Sequence, residues 1–132
     1  MIGLDTNVLV RYLVQDDPAQ SRRAEHAIAG AAGAGERLFL GVIVLCELVW
    51  VLETAYGYAR GEIQDALEQI LLTDQFEIED SDDVWLALGD YRTSGADFAD
   101  ALIGRRNVGA GCARTLTFDR SLKPLDTFRV LQ

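Results

Sequence analysis

The stretch Ile-Val-Leu-Cys-Glu-Leu-Val-Trp-Val-Leu, residues 43–52, carries a single charge, at Glu47. Wound as a helix it is apolar on nearly every side, and such a helix belongs in an interior. It is far too short to cross a bilayer, which takes about 20 apolar residues. The chain therefore needs a layered fold able to cover this segment, and Glu47 is expected to be buried within it. An unpaired buried carboxylate is costly or takes up a proton. A metal ion, an arginine or a dense set of hydrogen bonds has to compensate it.

Around this segment, short apolar runs alternate with helical patterns. Residues 2–4 read as a strand ending at Asp5, and residues 7–14 place Val8, Leu9, Tyr12 and Leu13 at helical spacing. Asp16-Asp17-Pro18 is a helix start, with a capping Asp and proline at the first helical position. That helix should run to about residue 32 and stop in Gly33-Ala34-Gly35. Further strands are expected at 37–41, 76–78, 113–118 and 128–131, and further helices at 43–55 and 61–73. Ser81 is expected to cap the next helix, with Asp82 and Asp83 set against its N-terminal dipole. After Ser94-Gly95 a last helix carries Asp97 and Asp100 and closes at Gly109 and Gly111. The alternation predicts an α/β fold of three layers, a mainly parallel sheet of four or five strands covered by helices on both faces. With no repeat, low-complexity tract or linker, residues 1–132 are expected to form a single domain, and 132 residues suffice for a real core.

The N-terminus has no basic region or extended apolar core of the secretory kind, so the chain is expected in the cytoplasm, with no membrane partner. Cys46 and Cys112 lack Cys or His neighbours at metal-ligand spacing, which argues against zinc. The net charge is −9, from 21 acids against 12 bases. That balance disfavours a nucleic-acid partner, but six acids between Asp74 and Asp83 crowd a segment read as a solvated turn. All the bases except Lys123 are arginines, the better fork for phosphate. His26, the only histidine, lies among Arg22, Arg23 and Glu25 and reads as a solvated helix position.

Asp5 and Asp119 each follow a strand, and in a parallel sheet both emerge at the carboxyl edge where ligands bind. Each is equally suited to cap the next helical turn. Asp97 and Asp100 are three residues apart, on one helix face. Asp97 can be a ligand or the helix cap, whereas Asp100 lies inside the helix, where Asp is intrinsically disfavoured. Asp5, Glu47, Asp97, Asp100 and Asp119 form an oxygen-only set of the kind that hard cations such as Mg²⁺ prefer. Such a site suits phosphodiester hydrolysis, in which a cation activates water and stabilises the leaving oxygen. Arg11, Arg105 and Arg106 are the candidate phosphate contacts, although arginines near helix ends commonly only complement the dipole.

Residues 4–13, Leu-Asp-Thr-Asn-Val-Leu-Val-Arg-Tyr-Leu, resemble the opening motif of PIN-domain nucleases. Glu47-Leu48 resembles the second motif, residues 96–103 the third, and Thr117-Phe118-Asp119 the fourth. The order is right and the resemblance covers essentially the whole chain. In length it is most similar to the VapC-type toxins of type II toxin–antitoxin systems. The resemblance implies a PIN-like fold and a Mg²⁺- or Mn²⁺-dependent endoribonuclease acting on RNA, held inactive by a cognate, VapB-like antitoxin. It implies a homodimer or a toxin–antitoxin hetero-oligomer. It makes Asp5, Glu47, Asp100 and Asp119 the catalytic acids, with Asp97 beside them as a further metal ligand. Thr6, Asn7 and Thr117 would orient ligands or waters around them. A haloacid-dehalogenase-like phosphatase also uses a strand-end Asp but needs a second Asp two residues on, where Asn7 stands. A PIN fold kept as a non-catalytic binding module is the remaining alternative.

Overall fold

The computed structural model describes residues 1–132 as alternating strands and helices. In chain order these are β1 (Ile2–Gly3), α1 (Thr6–Val14), α2 (Pro18–Gly33), β2 (Leu38–Leu40), α3 (Val42–Thr54), α4 (Arg60–Leu72), β3 (Phe76–Ile78), α5 (Ser81–Thr93), α6 (Phe98–Gly109), β4 (Thr115–Thr117), a 3₁₀ turn (Arg120–Leu122) and β5 (Phe128–Val130). The chain divides into two compact units, Met1–Ala59 with Gln69–Glu79, and Arg60–Glu68 with Asp80–Gln132.

The first unit holds a three-stranded parallel sheet in the order β1-β2-β3. Leu38 and Leu40 alternate inward along β2 as the two-residue period of a strand requires. Leu9 and Val10 of α1, Ala24 and Ile28 of α2, and Leu45, Leu48, Val49 and Leu52 of α3 complete the buried set. Asp17 caps α2, its carboxylate accepting from the Gln20 amide at 3.1 Å, with Pro18 at the first helical position as expected. The N-cap position of α3 is Gly41, which has no side chain to cap it. Glu79, leaving β3, accepts from the Val42 amide at 2.9 Å instead. Glu79→Ala should lower stability by about 1 kcal/mol, a typical lost cap, and a urea melt would read it as a lower midpoint with an unchanged slope.

The second unit packs α5 against α6 and pairs β4 with β5 in parallel. Val84, Ala87, Leu88 and Tyr91 of α5, with Phe98, Ala101 and Leu102 of α6, are buried, and Ala96, Leu122, Leu125 and Phe128 form a further apolar cluster. Helix α6 comes close to the chain entering β5 at Gly104, where an added Cβ would lie 2.5 Å from Thr127 Oγ1 and 2.6 Å from Phe128 Cε2. Gly→Ala inside a helix normally gains up to about 1 kcal/mol. Here overpacking costs about 1–3 kcal/mol, so Gly104→Ala should lower the melting temperature, and Gly104→Val should lower it further.

All five expected strands form and all pair in parallel, but in two sheets, of three and two strands, rather than in one sheet of four or five. The division follows backbone pairing, which side-chain periodicity does not encode. Ser81 is not a cap. The cap position is Asp80, in the left-handed region at φ 48°, and it makes no capping bond. Its carboxylate instead pairs with Arg106 at 3.1 Å. The acidic stretch is not merely a solvated turn either: Glu77 lies in β3 and pairs with Arg37 at 2.9 Å, while Glu79 caps α3. His26 is exposed on α2, as expected.

Candidate functional site

In the first unit, Asp5 leaves β1 and caps α1, its Oδ1 accepting from the Thr6 amide at 2.8 Å. The capping role and a ligand role are compatible, because the cap uses one carboxylate oxygen. Thr6 is buried, and its hydroxyl donates to Glu47 Oε1 at 3.3 Å. One threonine thus ties the strand-end Asp to the helix-borne Glu, by its amide and by its hydroxyl. Asn7 is exposed on the same first turn of α1.

Glu47 is exposed, not buried as its apolar neighbours suggested. Helix α3 buries Leu45, Leu48, Val49 and Leu52, while Ile43 (73% exposed) and Trp50 (65% exposed) flank Glu47 on an open stripe. Residues four and three apart share a helix face, so Glu47 sits with the two large residues that the core does not cover. Apolar composition signalled burial on every side; the packing buries only one.

In the second unit, Asp97 occupies the N-cap position of α6 but makes no capping bond, which leaves its carboxylate free for another role. Asp100 lies one turn further on and is half-buried. Asp119 follows β4 and accepts at Oδ1 from the Ser121 amide at 2.9 Å and the Ser121 hydroxyl at 2.7 Å. Thr117 Oγ1 accepts from the Asp119 amide at 3.0 Å, fixing the backbone that presents this acid.

Asp97 and Asp119 both bear on Asp100. Burial pushes the Asp100 carboxyl above its ordinary range, and the negative charges of Asp97 and Asp119 push it further the same way. The two bonds from Ser121 hold Asp119 below the ordinary range, so it keeps its charge beside Asp100. Like charges gathered this way are relieved by a cation. The donor chemistry, all carboxylate oxygen, fits a hard divalent ion, although no group of three or more His, Cys, Asp or Glu side chains is closed around a position ready to hold a metal.

The three arginines expected to meet RNA are all engaged with the protein. Arg11 donates to Asp16 at 2.8 Å, Gln20 at 2.6 Å and Tyr56 at 3.1 Å. The Tyr56 hydroxyl in turn donates to Asp16 at 2.8 Å, and this bond chiefly holds the Asp16 carboxyl low. Arg105 grips buried Asp90 of α5 with two bonds, at 2.7 and 2.8 Å. Arg106 makes one exposed pair, with Asp80.

Several residues that matter here were not singled out in the sequence. Ser121 and Asp90 look like ordinary surface residues in their segments. Arg60 carried a signal: a cation in the first turn of a helix runs against the dipole, which points to some other use.

Parallel α/β units whose strands β1 and β4 run into Asp5 and Asp119, with further acids on α3 and α6, define a recognisable class of protein. The PIN domain family matches residues 2–126, across both units, and the chain belongs to that family. It is also 29% identical over 122 residues to a VapC ribonuclease of Aquifex aeolicus (strain VF5), covering 92% of this chain and 90% of the relative. No helix is long and apolar enough to cross a membrane.

Proposed function

We propose that the chain, as one PIN domain, is a Mg²⁺- or Mn²⁺-dependent endoribonuclease serving as the toxin of a type II toxin–antitoxin system. The observation that carries this reading is half-buried Asp100 facing the negative charges of Asp97 and Asp119, in a PIN-family chain with a VapC ribonuclease among its relatives. Asp5, Glu47, Asp100 and Asp119 would hold the ion, with Asp97 as a further ligand. When bound, the ion would supply an activated water and charge stabilisation at the phosphoryl group.

The chain's own residues prepare for this. Thr6 holds Asp5 and Glu47 through two different atoms, and Ser121 and Thr117 hold Asp119 by its side chain and its backbone. Asn7 is left to orient a ligand or water. The pressure on Asp100 to protonate would be relieved by the ion, which keeps the carboxylate available. A defined RNA incubated with Mg²⁺, with Mn²⁺ and with EDTA tests the reading. Cleavage lost in EDTA and restored by either ion is expected, and cleavage equal under all three conditions would overturn it.

RNA must approach a protein of net charge −9. Of the three arginines, Arg106 is the best remaining phosphate contact, because a single pair with side chains 44% and 47% exposed is readily exchanged. Arg106→Ala should weaken RNA binding and reduce the salt slope by about one, with little change in stability. A VapB-like antitoxin would cover the same acidic surface, and the open Ile43–Glu47–Trp50 stripe supports an assembled state, as a homodimer or with that antitoxin. Saturating antitoxin should suppress cleavage of a defined RNA; undiminished cleavage would remove the shared-surface part and leave the nuclease.

A further inference from the structure

We infer that Arg60 is the positioning residue for Asp97, clamping the turn that delivers this carboxylate to the acidic set; its role in metal binding rests on the nuclease reading above. Asp97 makes no capping bond with its side chain; apart from its carbonyl, which accepts from the Ala101 amide at 3.0 Å, its position depends on its two neighbours in the chain. Arg60 governs both.

On the N-terminal side, Arg60 Nη2 donates to the carbonyls of Tyr91 at 2.7 Å, Ala96 at 3.0 Å and Ser94 at 3.1 Å. These carbonyls belong to the end of α5 and to the turn leading into α6, where a helix end leaves acceptors that its own ladder does not pair. Ser94 reinforces the turn, its hydroxyl donating to the Asp90 carbonyl at 2.6 Å and accepting from the Ala96 amide at 3.2 Å. On the C-terminal side, the guanidinium lies 3.7 Å from the centre of the Tyr91 ring. That ring meets Phe98 edge-on at 6.3 Å, and both aromatic residues are fully buried. Ala96 and Phe98, the residues on either side of Asp97, are therefore tied to one side chain, Ala96 by a hydrogen bond and Phe98 through the ring stack.

The chemistry asks for arginine. Its planar, delocalised cation stacks on an aromatic face while Nη2 donates to the carbonyls, and lysine can do only one of these at a time. The site also explains why a cation sits at the start of α4, where the helix dipole disfavours it.

Two measurements on Arg60→Lys test the clamp, with Arg60→Gln as the alternative if Arg60→Lys folds poorly. First, Mn²⁺ affinity is read by electron paramagnetic resonance of the free ion, in the wild-type and Asp97→Asn backgrounds. The Arg60→Lys change should weaken binding about tenfold, as supporting contacts behind metal ligands commonly do. The same change should add nothing once Asp97 is Asn. An equal loss in both backgrounds, or no loss, would overturn the inference. Second, amide hydrogen exchange is followed without metal. The Ala101 amide, which donates to the Asp97 carbonyl at 3.0 Å, reports on the first turn of α6. Its exchange should quicken about tenfold while the first unit is unaffected, as expected of a local opening. Unchanged or globally raised exchange would count against the clamp. If wild-type protein binds no Mn²⁺, the metal reading fails and the exchange result alone decides the clamp.

Discussion

Asp100→Asn should end RNA cleavage and, with divalent cations removed, make the protein more stable. The side chain is half-buried and faces the charges of Asp97 and Asp119, and all three causes raise its affinity for a proton in the folded state. In the unfolded chain the group returns to about 3.9. The folded state therefore binds the proton more tightly, and stability falls as pH rises from that value through the raised folded one. At neutral pH the wild type carries the whole penalty and the asparagine variant carries none. The variant's advantage in melting temperature should be largest at neutral pH and should vanish below about pH 3.9. Mg²⁺ should reverse the comparison, because a ligand present at a hundredfold over its Kd stabilises the folded state by about 2.7 kcal/mol, and only the wild type should gain it. A wild-type melting temperature indifferent to millimolar Mg²⁺ or Mn²⁺ would remove the metal centre. An Asp100→Asn protein less stable than the metal-free wild type at neutral pH would remove the repulsion argument.

Arg105→Ala should destabilise the fold heavily, by about 2–4 kcal/mol. Breaking a buried pair by deleting one partner costs about 3–5 kcal/mol, and the Arg105 side chain, 31% exposed, retains some solvent. The cost arises because the carboxyl of Asp90, only 8% exposed, would be stranded without its two-pronged partner. Asp90→Asn combined with Arg105→Ala should recover part of the loss, since no stranded charge remains. Denaturant melts of the two single variants and the double variant close the cycle. Additive effects would mean that the pair is not coupled. Loss of activity in Arg105→Ala would then have to be read beside its loss of structure, whereas Arg106→Ala, in an exposed pair, keeps its fold and reports on RNA alone.

The carboxylates were legible because each broke a local rule. Asp5 and Asp119 ended apolar strands, Asp100 sat inside a helix, and Glu47 interrupted an apolar run. Their partners were less legible, since Ser121, Asp90 and Glu79 are common in turns and on surfaces and acquire meaning only from what they touch. Arg105 shows the same limit from the other side. Its place near the end of α6 suggested a surface cation, and the packing of α6 on α5 turned it toward Asp90.

The sequence by itself determined the alternation of strands and helices, the caps at Asp5 and Asp17, and which acids lie at strand ends or share a helix face. These depend on local periodicity and on a few backbone rules that act within one or two turns. Only the tertiary structure decided that the five strands pair as three and two, that Glu47 lies on an open stripe of α3, and that Arg60 reaches the carbonyls leading to Asp97. Each of those outcomes depends on which distant backbone or side chain arrives alongside, and hydrophobic pattern specifies a buried face without naming its neighbour.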